Sequence, residues 1–323
     1  MAIVLAACGG TAAPPPPAGA PAKLSAAYSN AGADHMPGWI AKDAGYFLNN
    51  GLDVTLQLGG GGTKTAAALL AGDFQLVEMG GSETAAAAAG GADLLIVAAP
   101  AQVYPYKLIA RREIATIQGL KGKKLAISST GGSSDVAARV VLRRNGLEPN
   151  KDVTLTPVGD ATTRQVALFN GAVDAEVDGP PGSIRAEQDP KFHVLLDLTA
   201  AGIPSANAVV AGQRSWIQAN RPLVQKYVDS IIQGAARSKT DRELTITTIR
   251  KYNGTDDEQG LQGAYEFFKN SITERPLPKV DQFSDSLEIL GELNPKLKGF
   301  DVARIIDDSF VQDALKRGVD KSA

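Results

Sequence analysis

The sequence predicts an α/β protein with two related lobes, mostly parallel sheets and a helical C-terminal tail. Its 323 residues correspond to about two domains of roughly 150 residues each. An internal repeat relates two stretches of the chain, and in both of them short apolar segments alternate with helical patterns. Such alternation is typical of βαβ units, whereas only helical patterns follow residue 214.

The internal repeat aligns two stretches without a gap when the sequence is shifted by 99 positions. Asp53–Leu56 then falls on Asp152–Leu155, and ten of the 29 positions from 53 to 81 are identical. Gly60, Gly72 and Gly80 also fall on glycines. A period this long does not fit a solenoid and indicates two lobes of the same design.

The first copy alternates strands and helices that end at turn residues. Its predicted strands are 24–28, 53–58, 75–79 and 94–99, and its predicted helices are 39–48, 63–71 and 83–89. Asn50 and Gly51 suit the left-handed residue that ends a helix, and Gly72 stops the next helix. The apolar run at 94–99 is typical of a buried parallel strand.

The second copy repeats this scheme. Its predicted strands are 124–128, 153–158 and 175–178, and its predicted helices are 133–145 and 162–170. In the tail, helices are predicted at 223–239, 241–252, 256–270, 281–290 and 301–316. Asn220 and Pro222 suit the start of the first tail helix. Because the second copy has no such tail, we expect the tail to cover one lobe.

The composition excludes several classes of protein and of site. Lys and Arg number 33 against 35 Asp and Glu, so the net charge is −2 and no nucleic-acid partner is expected. One Cys cannot form an internal disulfide or a Cys-cluster metal site, and two His leave little room for a His-based one. We therefore expect no metal and no cofactor. No apolar run of about 18 residues predicts a transmembrane helix.

Residues 1–22 have the pattern of a lipidation signal followed by a tether. Residues 5–8, LAAC, resemble a bacterial lipobox in which Cys8 carries the lipid; a chance cysteine is the alternative. The Pro-rich segment that follows cannot form a core. Only seven residues without Lys or Arg precede Cys8, which departs from the pattern of a signal peptide. A functional lipobox predicts a lipid-anchored protein in the periplasm or on the outer face of the cytoplasmic membrane.

A family resemblance is carried by the order and spacing of several segments. They are Gly38–Phe47, Gly51–Val54, Ala66–Asp73, Leu120–Ile127 and Gly171–Ala175. Together they resemble the substrate-binding proteins of ABC importers, in the NMT1/THI5-like branch of nitrate, taurine, alkanesulfonate and thiamine-pyrimidine binders. The resemblance covers most of residues 23–212.

The resemblance implies the type II periplasmic-binding-protein fold, in which two α/β lobes close around a ligand by a hinge. Lobe one would hold 23–105 plus 205–323, and lobe two would hold 106–204. The chain would cross between the lobes near 104–108 and 199–207. The resemblance also implies a small-molecule ligand, an ABC permease as partner, and no catalytic residues; we expect a monomer.

The ligand is expected outside the carboxyl ends of the strands, where open α/β sheets bind ligands. The loops at this position are 29–35, 59–63 and 80–83 in the first copy, and 129–134, 159–163 and 178–182 in the second. Loop 129–134, STGGSS, opens a helix, so its N–H groups and the helix dipole favour an anion; capping of the helix by Ser133 or Ser134 is the alternative. For the glycine-rich loops 59–63 and 80–83, contact with the ligand and a simple turn are equally good interpretations.

Eighteen residues in or beside these loops are candidate ligand contacts. They are Asn30, Asp34, His35, Trp39, Gly61, Gly62, Thr63, Gly81, Ser82, Tyr104, Tyr106, Thr130, Gly131, Gly132, Ser133, Arg164, Asp178 and Asn207. Thiamine-pyrimidine binders of the family often carry a His near the position of His35, but a surface His is the alternative. Trp39 either stacks on the ligand or packs in the core. Tyr104 and Tyr106 lie at the first crossing, and His193 is expected to be structural.

The charges in these loops have both signs, which disfavours a bare dianion as ligand. We expect a small organic anion or zwitterion of the sulfonate or carboxylate type, with a thiamine pyrimidine or another aromatic vitamin-like ring as the alternative. The same binding module could supply a sensor instead of a permease. A hydrolase or transferase is disfavoured because the sequence holds no GxSxG, HExxH or kinase-like motif. The lipobox disfavours an enzyme on this fold such as a pyrimidine synthase.

Overall fold

The computed structural model describes residues 19–201 and 203–322. The lipidation site predicted at Cys8 and most of the predicted tether lie outside these residues. Within the described ranges, no helix combines the length and the apolar character needed to cross a bilayer.

Strands and helices alternate through most of the described chain, and helices follow the last strand. In chain order, the described strands β1 to β10 are Ala22–Tyr28, Leu52–Leu58, Leu76–Met79, Leu94–Val103, Lys107–Arg111, Lys124–Ile127, Thr154–Pro157, Ala175–Asp178, Phe192–Asp197 and Pro204–Gln213. The described helices α1 to α13 are Met36–Asp43, Tyr46–Asn49, Gly62–Ala71, Gly81–Ala89, Ser133–Arg144, Ala161–Phe169, Gly182–Gln188, Arg214–Ala219, Arg221–Thr240, Arg242–Asn253, Glu258–Ser271, Ser284–Leu293 and Ser309–Lys316.

The strands form two five-stranded sheets of the same design. The first sheet has the order β2-β1-β3-β10-β4, and the second has the order β7-β6-β8-β5-β9. In each sheet the fourth strand of this order, β10 or β5, runs antiparallel to both neighbours, and the first three strands pair in parallel. The predicted α/β class with mostly parallel sheets is therefore confirmed.

The strand registers confirm the internal repeat. Ala26 pairs with Leu76 in the first sheet, and Leu125 pairs with Ala175 in the second. On its other side Ala26 pairs with Leu56, as Leu125 pairs with Leu155. The two sets of pairs differ by 99 residues in each partner, which is the offset of the sequence repeat.

The chain passes twice from one sheet to the other. After β4 of the first sheet, residues 104–106 lead into β5 of the second sheet, and β9 of the second sheet is followed by β10 of the first. Each of these passages leads into the antiparallel strand of the sheet that it joins. The two connections overlap the ranges 104–108 and 199–207 and are the candidate hinge.

The C-terminal tail covers both sheets, which corrects the expectation that it covers one lobe. Helix α9 packs on α1, and its Tyr227 and Ile231 join the apolar core of the first sheet. Helix α12 packs on α5, and its Ile289 and Leu290 join the apolar core of the second sheet. Burial of these apolar side chains of α12 stabilises the docking of the helix on the second sheet.

Two predicted helices are interrupted in the structure. The helix expected at 39–48 is divided into α1 and α2 by Gly45, whose φ of 78° costs little in a glycine. The helix expected at 301–316 begins only at Ser309, because Asp301 accepts from the Ala303 N–H and starts a short 3-10 turn instead. The strands β5, β9 and β10 and the helices α7 and α8 are not among the predicted elements.

Candidate functional site

A cavity of about 190 Å³ lies between the two sheets, at the carboxyl ends of their parallel strands. The loops after β1, β2 and β3 form one wall, and the loops after β6, β7 and β8 form the facing wall. Because a water molecule occupies about 30 Å³ of liquid, this space suits a small solute. The position is the one that sheet topology predicts for a ligand.

The structure brings nine of the eighteen candidate residues to the lining of this cavity. They are Asn30, Asp34, Gly61, Gly62, Tyr106, Ser133, Arg164, Asp178 and Asn207. The other nine lie outside the lining: His35, Trp39, Thr63, Gly81, Ser82, Tyr104, Thr130, Gly131 and Gly132. The lining residues come from both copies of the repeat, from the first crossing and from β10.

Two aromatic candidates are buried in apolar cores behind the lining. The Trp39 ring stacks on Tyr252, with the ring centroids 4.9 Å apart and the planes 1° apart. The Trp39 side chain is fully buried, which fits the core alternative for this residue. Tyr104 joins the apolar core of the second sheet, whereas Tyr106 lines the cavity.

His35 supports the loop after β1 from behind the lining and is buried rather than on the surface. Its Nε2 lies 3.2 Å from Ser29 Oγ and 3.2 Å from Asn30 Nδ2, and its Nδ1 lies 3.8 Å from Glu78 Oε2. Burial lowers the pKa of His35, but the neighbouring carboxylates, Asp34 first, raise the pKa above its usual value overall. His35 therefore holds Asn30, a lining residue, in place.

Two candidates outside the lining have structural contacts instead. Gly81 lies against Ala206 and Phe283, where an added Cβ would collide. Thr63 Oγ1 lies 3.2 Å from Ser129 Oγ. This contact joins the two walls at the exposed rim of the cavity.

The anion position predicted at loop 129–134 is filled by the protein's own Glu83. The Ser133 N–H donates to Glu83 Oε1 at 3.2 Å, and Ser133 Oγ donates to Glu83 Oε2 at 3.0 Å. Ser82 Oγ also donates to Glu83 Oε2, at 2.8 Å. A Cβ at Gly80 would collide with Glu83 and Ser133, so only glycine permits this approach. A carboxylate of the first wall thus caps the N-terminus of α5 in the second wall.

The remaining candidates of loop 129–134 lie outside the lining of the cavity. Thr130 is exposed, and Gly131 faces Leu290 of α12. Gly132 lies against the hydroxyl groups of Ser128 and Ser129. Of the candidates in this loop, Ser133 alone therefore reaches the lining.

Arg164 is held by the protein and is not free to bind an anion with all its donors. Its Nε donates to Val177 O at 3.2 Å, Nη1 to Gly159 O at 3.0 Å, and Nη2 to Asp178 Oδ1 at 3.1 Å. Burial raises the pKa of Asp178 to about 6, although the Arg164 guanidinium opposes the rise. The main role of Arg164 in this structure is therefore to pair with the carboxylate of Asp178.

Asp34 and Asn207 meet at the first wall. Asn207 Nδ2 donates to Asp34 Oδ2 at 2.8 Å. Both side chains are buried, and both belong to the lining. Among residues 19–201 and 203–322, no group of three His, Cys, Asp or Glu side chains is arranged to hold a metal ion.

Sequence reasoning missed part of the lining. The loop between α10 and α11 contributes Asn253, Gly254 and Thr255. The Asn-Gly pair signals a helix end, but nothing local shows that the tail folds back over the cleft. Glu83 and Asp160 lie in predicted loops and also line the cavity, but the sequence does not show which way their side chains point.

The protein-family model described as NMT1/THI5 like matches residues 32–241, which is more than half of the chain. The Bacillus subtilis (strain 168) protein named "Putative binding protein YtlA" is 20% identical over 254 residues, covering 77% of this chain and 76% of that protein.

Solved structures share the fold at low sequence identity. The alkanesulfonate-binding protein SsuA from Xanthomonas axonopodis pv. citri, bound to MOPS, has a TM-score of 0.72 and 21% identity, covering 90% of this chain and 100% of that chain. The periplasmic nitrate-binding protein NrtA from Synechocystis PCC 6803 has a TM-score of 0.73 and 13% identity, covering 92% and 89%. The predicted periplasmic-binding-protein fold is confirmed by these likenesses.

Proposed function

Because the chain belongs to the NMT1/THI5-like family, we propose that it is a solute-binding protein that captures one small molecule and delivers it to an ABC permease. The observation that carries the proposal is the cavity between two sheets of the same design, lined from both of them. Relatives with this fold are named for binding sulfonate or nitrate. No catalytic role is assigned to a residue of the cavity.

Hinge closure is the mechanism that the topology supports. Two chain connections join the sheets, and each sheet supplies one wall of the cavity. A solute that contacts both walls binds the closed form more tightly than the open form and therefore shifts the population towards closure. The closed form would then dock on the permease.

The position in the cell belongs to the same proposal. Neighbours in fold are named as periplasmic proteins, and we place this protein outside the cytoplasmic membrane, held by a lipid on Cys8 and acting as a monomer.

The ligand class expected from the sequence was an organic anion or zwitterion. Carboxyl groups and guanidinium groups both line the cavity, which favours a zwitterion over a simple anion. The alternative ligand, an aromatic ring, is supported by Tyr106 and Phe268, the two aromatic residues of the described lining.

The proposal is tested by the retention of a solute from a metabolite extract. Protein is incubated with the extract, passed through a desalting column and denatured, and the released molecules are identified by mass spectrometry. We expect about one equivalent of one solute per chain. Ala161→Trp, which fills the lining at the start of α6, should abolish retention.

The matched control is Ala172→Trp, an exposed alanine outside the cavity, which should retain the solute like the wild type. Failure of the wild type to retain any solute, or equal retention by Ala161→Trp, would contradict the proposed function.

A further inference from the structure

We propose that the cleft recognises its solute by a cationic nitrogen group, an ammonium or amidinium type, which binds Asp34 and Asn207. This inference rests on the proposed function and names the chemical class of the ligand. It differs from a cleft built for nitrate or a simple sulfonate, in which the protein must supply the positive charge.

The charge of the described lining is negative. Four carboxyl groups belong to it, from Asp34, Glu83, Asp160 and Asp178, against the guanidinium groups of Arg164 and Arg185. Arg164 is paired with Asp178 and buried. Arg185 is exposed, and its guanidinium lies 5.5 Å from the centre of the Phe169 ring. Behind the lining, His35 Nε2 lies 4.0 Å from Asp34 Oδ2, so the excess of carboxyl over guanidinium groups is a property of the lining itself.

The helix N-terminus best placed for an anion is already occupied. Glu83 accepts from the Ser133 N–H and from two hydroxyl groups at the start of α5. An anionic ligand would have to displace this carboxylate or lie beside it, and like charges at such distances repel strongly in a water-poor cleft. The arrangement disfavours an anion.

Asn207 supplies an unpaired acceptor. Its side chain is 3% exposed, and its Oδ1 has no hydrogen-bond donor among the described residues. The orientation of the amide is fixed, because Nδ2 donates to Asp34 Oδ2 and the flipped amide would set two oxygens against each other. A buried acceptor without a donor is costly, so a donor on the solute would stabilise the complex.

Asp34, which also lines the cavity, offers a second acceptor. The Asn207 amide uses Asp34 Oδ2, and no side chain or backbone group of the described residues donates to Asp34 Oδ1. An ammonium or amidinium group carries two or more N–H donors, the complement of these two acceptors. A sulfonate or nitrate carries acceptors alone and can satisfy neither.

The pKa of Tyr106 is consistent with this negative potential. Burial raises the pKa of its hydroxyl well above the usual value, and the charge of Asp34 raises it further, while Arg164 opposes the rise. Tyr106 lines the cavity, so the charge of Asp34 is felt within the cleft.

The test compares four probes of similar size at equal ionic strength: ethylammonium chloride, taurine, sodium ethanesulfonate and sodium nitrate. Binding is measured by thermal shift and by titration calorimetry. We expect ethylammonium and taurine to bind, and ethanesulfonate and nitrate to leave the protein unchanged. Asp34→Asn should weaken binding by about 10- to 100-fold, because it removes a charged hydrogen bond.

The control variant is Asp93→Asn, whose carboxylate pairs with Arg214 away from the cavity, and it should bind like the wild type. Asn207→Ala gives a second variant with the same expected loss, which decides the question if Asp34→Asn does not fold. Binding of ethanesulfonate or nitrate without ethylammonium would overturn the cationic class and leave the solute-binding function intact. The cationic class would also be overturned if none of the four probes bound while an anionic or neutral solute was retained from the extract. Silence together with no retained solute would contradict the proposed function itself.

Discussion

Glu176 is a buried carboxyl group in β8, the strand that also carries Asp178 to the cavity. It is 0% exposed, and neither of its oxygens has a hydrogen-bond partner among the described residues. Burial raises the pKa of Glu176 well above its usual value, and the charge of Asp178 raises it further. The direction of this shift favours the protonated form of Glu176 in the folded protein.

Replacement Glu176→Gln is expected to remove a pH dependence of stability. In the unfolded chain Glu176 loses its proton near pH 4.3, whereas the folded protein retains it to higher pH. Glu176 therefore costs the wild type stability as the pH rises, by up to about 1.4 kcal/mol per pH unit, and the variant lacks this one contribution. Urea unfolding at about pH 5, 6.5 and 8 should show a growing advantage of the variant.

The control for this prediction is Glu113→Gln, an exposed glutamate. Its unfolding free energy should differ from that of the wild type by the same small amount at each pH. A difference between Glu176→Gln and the wild type that stays constant with pH would contradict a protonated Glu176.

At the residue scale, most of the loops that reach the cavity were predicted from the sequence. The individual side chains that line it were predicted less well. Asn30, Asp34 and Trp39 come from one segment, but only the first two line the cavity. The direction of Trp39 depends on the packing of α1 against Tyr252 of the tail, more than 200 residues away. No local pattern carries that contact.

At the element scale, helix α12 joins the tail to the second sheet. Ile289 and Leu290 enter the apolar core of that sheet, and Arg143 of α5 pairs with Glu292 of α12. The helix also packs on α4 of the first wall. Helix α12 therefore connects both walls behind the cavity, in addition to the two chain connections.

Leu290→Ala is expected to lower the free energy of unfolding by about 2–5 kcal/mol, because the side chain is 2% exposed and leaves a cavity. Leu293→Ala on the same helix is the matched control, since Leu293 is 39% exposed and should change stability by less than about 0.5 kcal/mol. Urea unfolding of both variants measures this. Equal, small effects would show that α12 does not pack on the second sheet.

The sequence predicted elements with a clear period and missed those without one. β1 to β3 and their counterparts β6 to β8 were found because the repeat places them at matching positions. β5 and β10 were missed because each pairs, in antiparallel fashion, with strands that are distant from it in the sequence. Pairing of this kind leaves no local signal.

At the scale of the whole molecule, the two walls of the cavity contact each other across the cleft. Three contacts join the walls across the cleft: Thr63 to Ser129, Ser82 to Ser133, and Glu83 to Ser133. The repeat and the two crossings predicted the two walls. The cover that α10 and α11 form over the cavity could not be predicted, because it depends on how the tail returns.

The most direct measurement of solute capture between the walls uses an engineered disulfide that holds the two walls together and can be reduced. Thr63→Cys and Ser129→Cys are combined with Cys8→Ser, since the two hydroxyl oxygens lie 3.2 Å apart and Cys8 is the single cysteine of the sequence. Retention of solute from extract is then measured before and after oxidation. Reduced protein should capture the solute, and protein oxidised while empty should capture none.

Protein oxidised after capture should keep its solute through dialysis and release it when a reductant is added. Capture by the empty, oxidised protein at the level of the reduced protein would contradict the claim that the solute enters and leaves by opening of the cleft.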